Sequence, residues 1–205
     1  YNTTELTGSF ATSGGSCSPY TGGGTVSYSG TTTACDNLNP GTVSCSSPTG
    51  GSNGSASYLW EKSTDNGSTW ISTSGVLETV NPANLTTTTL FRRGASYCAT
   101  ASENASEVYS NSITFTVNAT PSAPTAADQG FCSSASPTVA DLSATGTSIQ
   151  WYSASSGGSA LSSGTSLSDG TTYYASQTVS GCESSRDAAA ITVDAAPSAA
   201  TNTTN

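Results

Sequence analysis

The chain of 205 residues contains no histidine and no methionine, and lysine and arginine together number four. Without histidine it lacks the commonest general base, the commonest metal ligand and every His-dependent catalytic triad. With so few cations against 13 acidic residues, the net charge is −9. A nucleic-acid partner is excluded, because phosphate recognition needs a basic footprint. Long hydrophobic runs are missing too: no stretch approaches the roughly 18 to 20 apolar residues that span a bilayer, so direct membrane insertion is not expected. A charged n-region followed by an apolar run is also absent, so any signal peptide is expected to have been removed or to lie upstream.

What is abundant is hydroxyl. Ser and Thr exceed a third of the residues, Gly adds 21, and only 34% are hydrophobic. That apolar content lies below the globular norm and alone would suggest partial disorder. The six cysteines counter this. An even count without C-x-x-C pairs, in a chain with one lysine, reads as disulfides formed in an oxidising compartment, hence an extracellular protein.

Alternating apolar and polar residues recur about every ten positions with no helical period, which predicts an all-β chain. One hairpin is expected over Ser57 to Trp70, turning at Asp65-Asn66-Gly67, where Asn-Gly supplies two positive-φ residues. Another is expected from Ile149-Gln150-Trp151-Tyr152 through Gly157-Gly158, returning along Ala160-Leu161. A degenerate repeat closes each half: ITFTVNATPSAPT from Ile113 and ITVDAAPSAAT from Ile191, with Trp60 matching Trp151 and Cys98 matching Cys182. The expected division is therefore a domain at 1–120 with an N-terminal extension, a Pro-containing linker at 121–130, a small domain at 131–194, and a C-terminal linker at 195–205. Pairing the cysteines by the repeat joins Cys132 to Cys182 and Cys35 to Cys98, leaving Cys17 with Cys45; other pairings of the four in the first domain stay open. Each bridge would add roughly 4 kcal/mol by chain entropy.

Several motifs occur in order in the second half: FCSSASPTVADL from Phe131, Ile149-Gln150-Trp151-Tyr152, DGTTYYA from Asp169, and Gly181-Cys182-Glu183-Ser184. They resemble the Ig-like repeats of large secreted proteins of gliding and related Bacteroidota. The first half is similar to the PKD-like or Ig-like repeats of the same surface adhesins, through YLWE from Tyr58, NGSTW from Asn66, LTTTTLFRR from Leu85 and the strand Ile113 to Val117. The resemblance covers roughly residues 35 to 194 and leaves the first 34 outside it. It implies two tandem Ig-like β-sandwich domains stapled by disulfides, type IX secretion of the parent protein and display on the cell surface. It supplies no catalytic residue, since such repeats are usually spacers or adhesive modules.

Among individual side chains, Trp60 and Trp151 are expected in the cores, and Tyr173, four residues after Asp169, as a tyrosine corner. Trp70 follows a hairpin turn and has no aromatic counterpart in the repeat, which makes it the candidate for ligand stacking; packing on Tyr58 or Leu59 is the structural alternative. Arg92 and Arg93 must face opposite sides of their strand. One is expected to pair with Glu61 or Glu78, and a carboxylate grip on an acidic sugar is the sharper alternative. The scattered acids predict no glycosidase pair and no enzyme. Asp36, Asp141, Asp169 and Asp187 are candidates for calcium, although no EF-hand loop exists, and no other cofactor or metal is expected. Sequons at Asn2, Asn53, Asn66, Asn84, Asn104, Asn118 and Asn202 mark candidate glycosylation sites.

The function these features point to is a non-catalytic structural or adhesive repeat segment of a cell-surface adhesin. Its partners would be neighbouring repeats or identical subunits, and a surface polysaccharide. The alternatives are a subunit of an extracellular filament, joined through the Ala195 to Asn205 segment, and a carbohydrate-binding accessory module of a secreted enzyme.

Overall fold

The computed structural model describes residues 19–51, 56–73, 77–96 and 107–197. The chain divides into two compact units, residues 1–118 and 119–205. In the first, strands β1 (Tyr20–Gly22), β2 (Val26–Ser27), β3 (Thr33–Cys35), β4 (Val43–Cys45) and β5 (Thr49–Gly50) precede the long β6 (Ser57–Ser63). There follow β7 (Ile71–Ser72), β8 (Thr79–Val80), β9 (Thr89–Ser96), β10 (Val108–Tyr109) and β11 (Ile113–Asn118). A large sheet in the order β3-β11-β9-β6-β7, with β10 beside the end of β9, faces a small sheet β2-β4-β8.

Between the two sheets lie Val26, Leu38, Val43, Cys45, Trp60, Val80, Phe91 and Phe115. Alternation explains this: in β4, Val43 and Cys45 are buried and Ser44 is exposed. Trp60 is 0% exposed, and its indole N–H donates to Leu77 O at 3.0 Å, so the core role expected of it is met. Edge-on contacts of Tyr28 and Phe91 with Phe115 fill the remaining space. Residues 20–35, expected as an extension, instead supply β1, β2 and β3. Among these, β3 pairs in parallel with β11 from Thr33↔Thr116 to Cys35↔Asn118.

The second unit has one four-stranded sheet, β12 (Gln129–Cys132), β17 (Asp187–Asp194), β14 (Thr171–Ser176) and β13 (Gln150–Tyr152), in that spatial order. A separate ribbon joins β15 (Thr178–Val179) and β16 (Cys182–Glu183). Opposite the sheet, the second layer consists of 3-10 turns at Ser133–Ala135 and Val139–Asp141 and the bridges Thr125↔Thr145 and Thr138↔Ser166. Trp151, Tyr173, Ala175, Ala189 and Ile191 from the sheet meet Ala126, Val139, Leu142 and Leu167 from that layer. The Tyr173 hydroxyl accepts the Ser168 N–H at 3.1 Å, as a tyrosine corner requires.

Three expectations are corrected. Residues 121–130 are part of the module rather than a linker: Pro124 and Ala126 are buried, Ala126 N–H donates to Asp187, and β12 begins at Gln129. Small Ala and Pro side chains read as linker in sequence, yet a thin module needs small residues where its layers approach. The return of the second hairpin makes one backbone bond, Leu161 N–H to Trp151 O, and no strand.

The cysteine pairing is the third. Cys132 and Cys45 are free thiols, whereas Cys35 and Cys182 are disulfide-bonded, so neither Cys132–Cys182 nor Cys17–Cys45 forms. Cys132 ends β12 opposite Asp194, while Cys182 pairs with Val179 in the β15–β16 ribbon, which follows β14 beyond the Asp187 end of β17. Eight residues of strand separate those ends by roughly 20 Å, several times the reach of a disulfide. Cys45 points into the core, its thiol 3.9 Å from Gly23 O, and burial pushes its pKa up. Cys17 and Cys98 lie outside the described residues. Without reductant, native protein is expected to be alkylated at Cys132 and unfolded protein at Cys132 and Cys45. Cys35 and Cys182 should react only after reduction; peptide mapping that finds Cys132 blocked in the native chain would contradict this.

Candidate functional site

Strand β9 carries the chemistry. Its pleat sends Phe91, Arg93 and Ala95 inward and Leu90, Arg92 and Gly94 to the outer face of the large sheet. Arg92 lies directly across from Glu61 on β6, and its Nε and Nη2 each reach Glu61 Oε2 at 2.8 Å. The expected pairing with Glu61 is thus present. Two rings flank the guanidinium carbon, the Trp70 centroid at 4.0 Å and the Tyr109 centroid at 3.8 Å.

Each ring has its own support. Tyr109 pairs with Gly94 and lies over it: a Cβ there would stand 3.2 Å from the ring, so glycine makes the room. The Tyr109 hydroxyl donates to Glu107 at 2.5 Å. Desolvation first, then that bond and the charges of Glu61 and Glu107, push its pKa up to about 12.

Trp70 is held by the loop before it. Asp65 Oδ1 accepts Ser63 Oγ–H at 2.7 Å and the Thr69 N–H at 2.9 Å, while Oδ2 accepts Thr69 Oγ–H at 2.5 Å. Ser63 Oγ also accepts the Gly67 N–H at 2.8 Å. Asn66 and Gly67 both have positive φ, 59° and 87°, which turns the chain so that the Trp70 indole N–H donates to Gly67 O at 3.0 Å. Trp70, expected either to pack on Tyr58 or Leu59 or to take a ligand, carries the Arg92 guanidinium on its ring. In the sequence this loop reads only as a turn. The signal that would have revealed its network is the run of Ser63, Asp65, Gly67 and Thr69 at every second position, ending on Trp70.

The bonds from Thr69 and Ser63 hold the Asp65 carboxyl at about 2, below its usual range. A depressed pKa stabilises the fold fully above about pH 4, the unfolded value. The contribution disappears as pH falls through about 2. Asp65→Asn is expected to flatten the acid-induced loss of stability across that window; an acid titration followed by tryptophan fluorescence with the same slope in both proteins would count against it.

Arg93, expected as a ligand contact, is 0% exposed and points into the sandwich. Its Nη1 donates to Cys45 O at 3.2 Å and its Nη2 to Ser46 O at 2.6 Å and Gly23 O at 3.4 Å, with Tyr58 stacked 4.0 Å from Cζ. Its Nε has no partner. The residue joins the end of the small sheet's central strand to the large sheet through backbone carbonyls. This role is not legible in the sequence, because an arginine on a strand normally faces water.

Three of the calcium candidates are in the second unit, and they are not brought together. In the second unit Asp141 accepts the Thr138 N–H, Asp169 the Val193 N–H and Asp187 the Ala126 N–H, the last two at opposite ends of β17, and Asp36 belongs to the first unit. Among the described residues no group of three or more His, Cys, Asp or Glu could hold a metal ion. Of the sequons, Asn66 and Asn84 are exposed and Asn118 is half-buried at the end of β11; Asn2, Asn53, Asn104 and Asn202 lie outside the described residues. A cleft of about 400 Å³ in the second unit is floored by Trp151 and walled by Leu142, Ile149 and Leu161.

Against known families, residues 121–197 match the model described as "Ig-like domain CHU_C associated". The second unit is an Ig-like domain. Its thin second layer and its tyrosine corner are features of that Ig-like domain as this chain builds it. Residues 23–119 match a family described as a domain of unknown function, DUF8696, a span that takes in β2 through β11. No curated protein matches the chain.

Proposed function

We propose that the chain is a non-catalytic structural and adhesive segment of an extracellular cell-surface protein of adhesin type. Neighbouring repeats would be its covalent partners, and a surface polymer would be its ligand. The observation that carries this reading is an Ig-like domain following a second β unit in tandem. The carboxylates support it, because they serve the fold. Asp128, Asp141, Asp169 and Asp187 each accept a backbone N–H, Glu61 holds Arg92, and Glu183 accepts from Ser176 and Tyr152. A hydrolase would need one such group held protonated beside a substrate.

The test is genetic. Cells producing the parent protein with residues 19–197 deleted are expected to export it and to attach less firmly to their substratum. Unchanged attachment with export intact would remove the adhesive reading.

A further inference from the structure

We propose that the Trp70–Arg92–Tyr109 row on the outer face of the large sheet is a binding platform for an uncharged polysaccharide. The inference rests on the adhesive reading above and names the ligand class.

Trp70 and Tyr109 bring two large rings to the solvent side of a sheet, both within 4.0 Å of one guanidinium carbon, and Tyr109 is 38% exposed. Paired rings on an open face suit the C–H face of a pyranose, which is apolar in the middle and polar at the rim. The polar groups of both rings are already engaged, Trp70 Nε1 with Gly67 O and the Tyr109 hydroxyl with Glu107. The rings therefore have stacking surface to offer and no free donor. Rigidity adds to this, since the Asp65 network and the Gly94 seat hold them before any ligand arrives.

Charge selects the class of sugar. Arg92 is the cation of the row and is neutralised by Glu61 at 2.8 Å, while Glu107 adds a second carboxylate at the Tyr109 end. An acidic polymer would meet these carboxylates on a chain whose net charge is −9, with no free guanidinium to grip. A neutral chain avoids that repulsion, and its hydroxyls can donate to the exposed Glu107. The acidic-sugar grip considered for Arg92 and Arg93 is excluded on the same grounds, because one is neutralised and the other is buried.

The experiment uses the full chain in native gels containing soluble neutral polymers (hydroxyethyl cellulose, laminarin, xylan) or acidic ones (alginate, polygalacturonate). Retardation by at least one neutral polymer and by neither acidic one is expected. Trp70→Ala and Tyr109→Ala should each weaken it about tenfold, the scale of one lost aromatic contact. Trp70→Phe and Tyr109→Phe, which keep a ring, should retain most of it. Hydrogen exchange across β6 and β9 checks that the variants keep the fold.

Failure to be retarded by any neutral polymer, stronger retardation by an acidic one, or unchanged retardation of both alanine variants would each overturn the platform. These results are separable from the deletion test. Attachment that depends on the segment without neutral-polymer retardation removes the platform alone, whereas retardation without any role in attachment removes the adhesive reading and leaves the platform.

Discussion

Arg93→Ala is expected to destabilise the first unit by about 3 to 5 kcal/mol, combining a large buried truncation with carbonyls left unpaired. Two buried acceptors, Gly23 O and Cys45 O, and the part-buried Ser46 O lose their donor, and Tyr58 loses the group stacked on it. Arg93→Lys should recover only part, since an ammonium cannot span three carbonyls in a fixed fork. Urea unfolding of the full chain, read by hydrogen exchange in β4 and β9, measures both. A shift below about 1 kcal/mol for the alanine variant, the scale of an ordinary exposed substitution, would show that the carbonyl seam is not holding the two sheets together.

Trp151→Ala should have a comparable effect on the second unit, about 3 to 5 kcal/mol. That is a large fraction of the 5 to 15 kcal/mol that holds a typical domain. Trp151 is 6% exposed and forms both the centre of the Ig-like core and the floor of the cleft of about 400 Å³. Its removal would join the cleft to the space left in the core, so surrounding side chains could not collapse to close it. Trp151→Phe, which keeps a ring there, should cost less than half as much. Retained exchange protection at Ala189 and Ile191 in the alanine variant would contradict the assignment.

Much of the fold was legible because it rests on local alternation. Trp60, Trp151 and Tyr173 were placed from strand period and turn chemistry, and each is buried where that reasoning puts it. The opposite orientations of Arg92 and Arg93 followed from pleating alone. What could not be read was which of them faces inward, because that depends on the carbonyls of β4 and on Gly23, dozens of residues earlier in the chain. The cysteine pairs failed for a related reason. Equal positions in a sequence repeat do not guarantee neighbouring Cα atoms: Cys132 ends β12 beside Asp194, whereas Cys182 sits in the β15–β16 ribbon beyond the Asp187 end of β17. The Trp70–Arg92–Tyr109 row drew on both kinds of information. Trp70 was singled out from its turn, whereas Tyr109 became visible only when β10 was seen to pair with Gly94.

The parallel pair β12–β17 sets how the Ig-like domain bears tension. The sheet is entered at Gln129 and left at Asp194, and these residues end neighbouring strands that run in the same direction. A pull on the two ends therefore slides one strand along the other and strains all of their slanted hydrogen bonds at once. An antiparallel pair entered and left at the same end would open bond by bond like a zipper. In the first unit β3 and β11 repeat the side-by-side parallel arrangement, so each unit carries a pairing suited to shear.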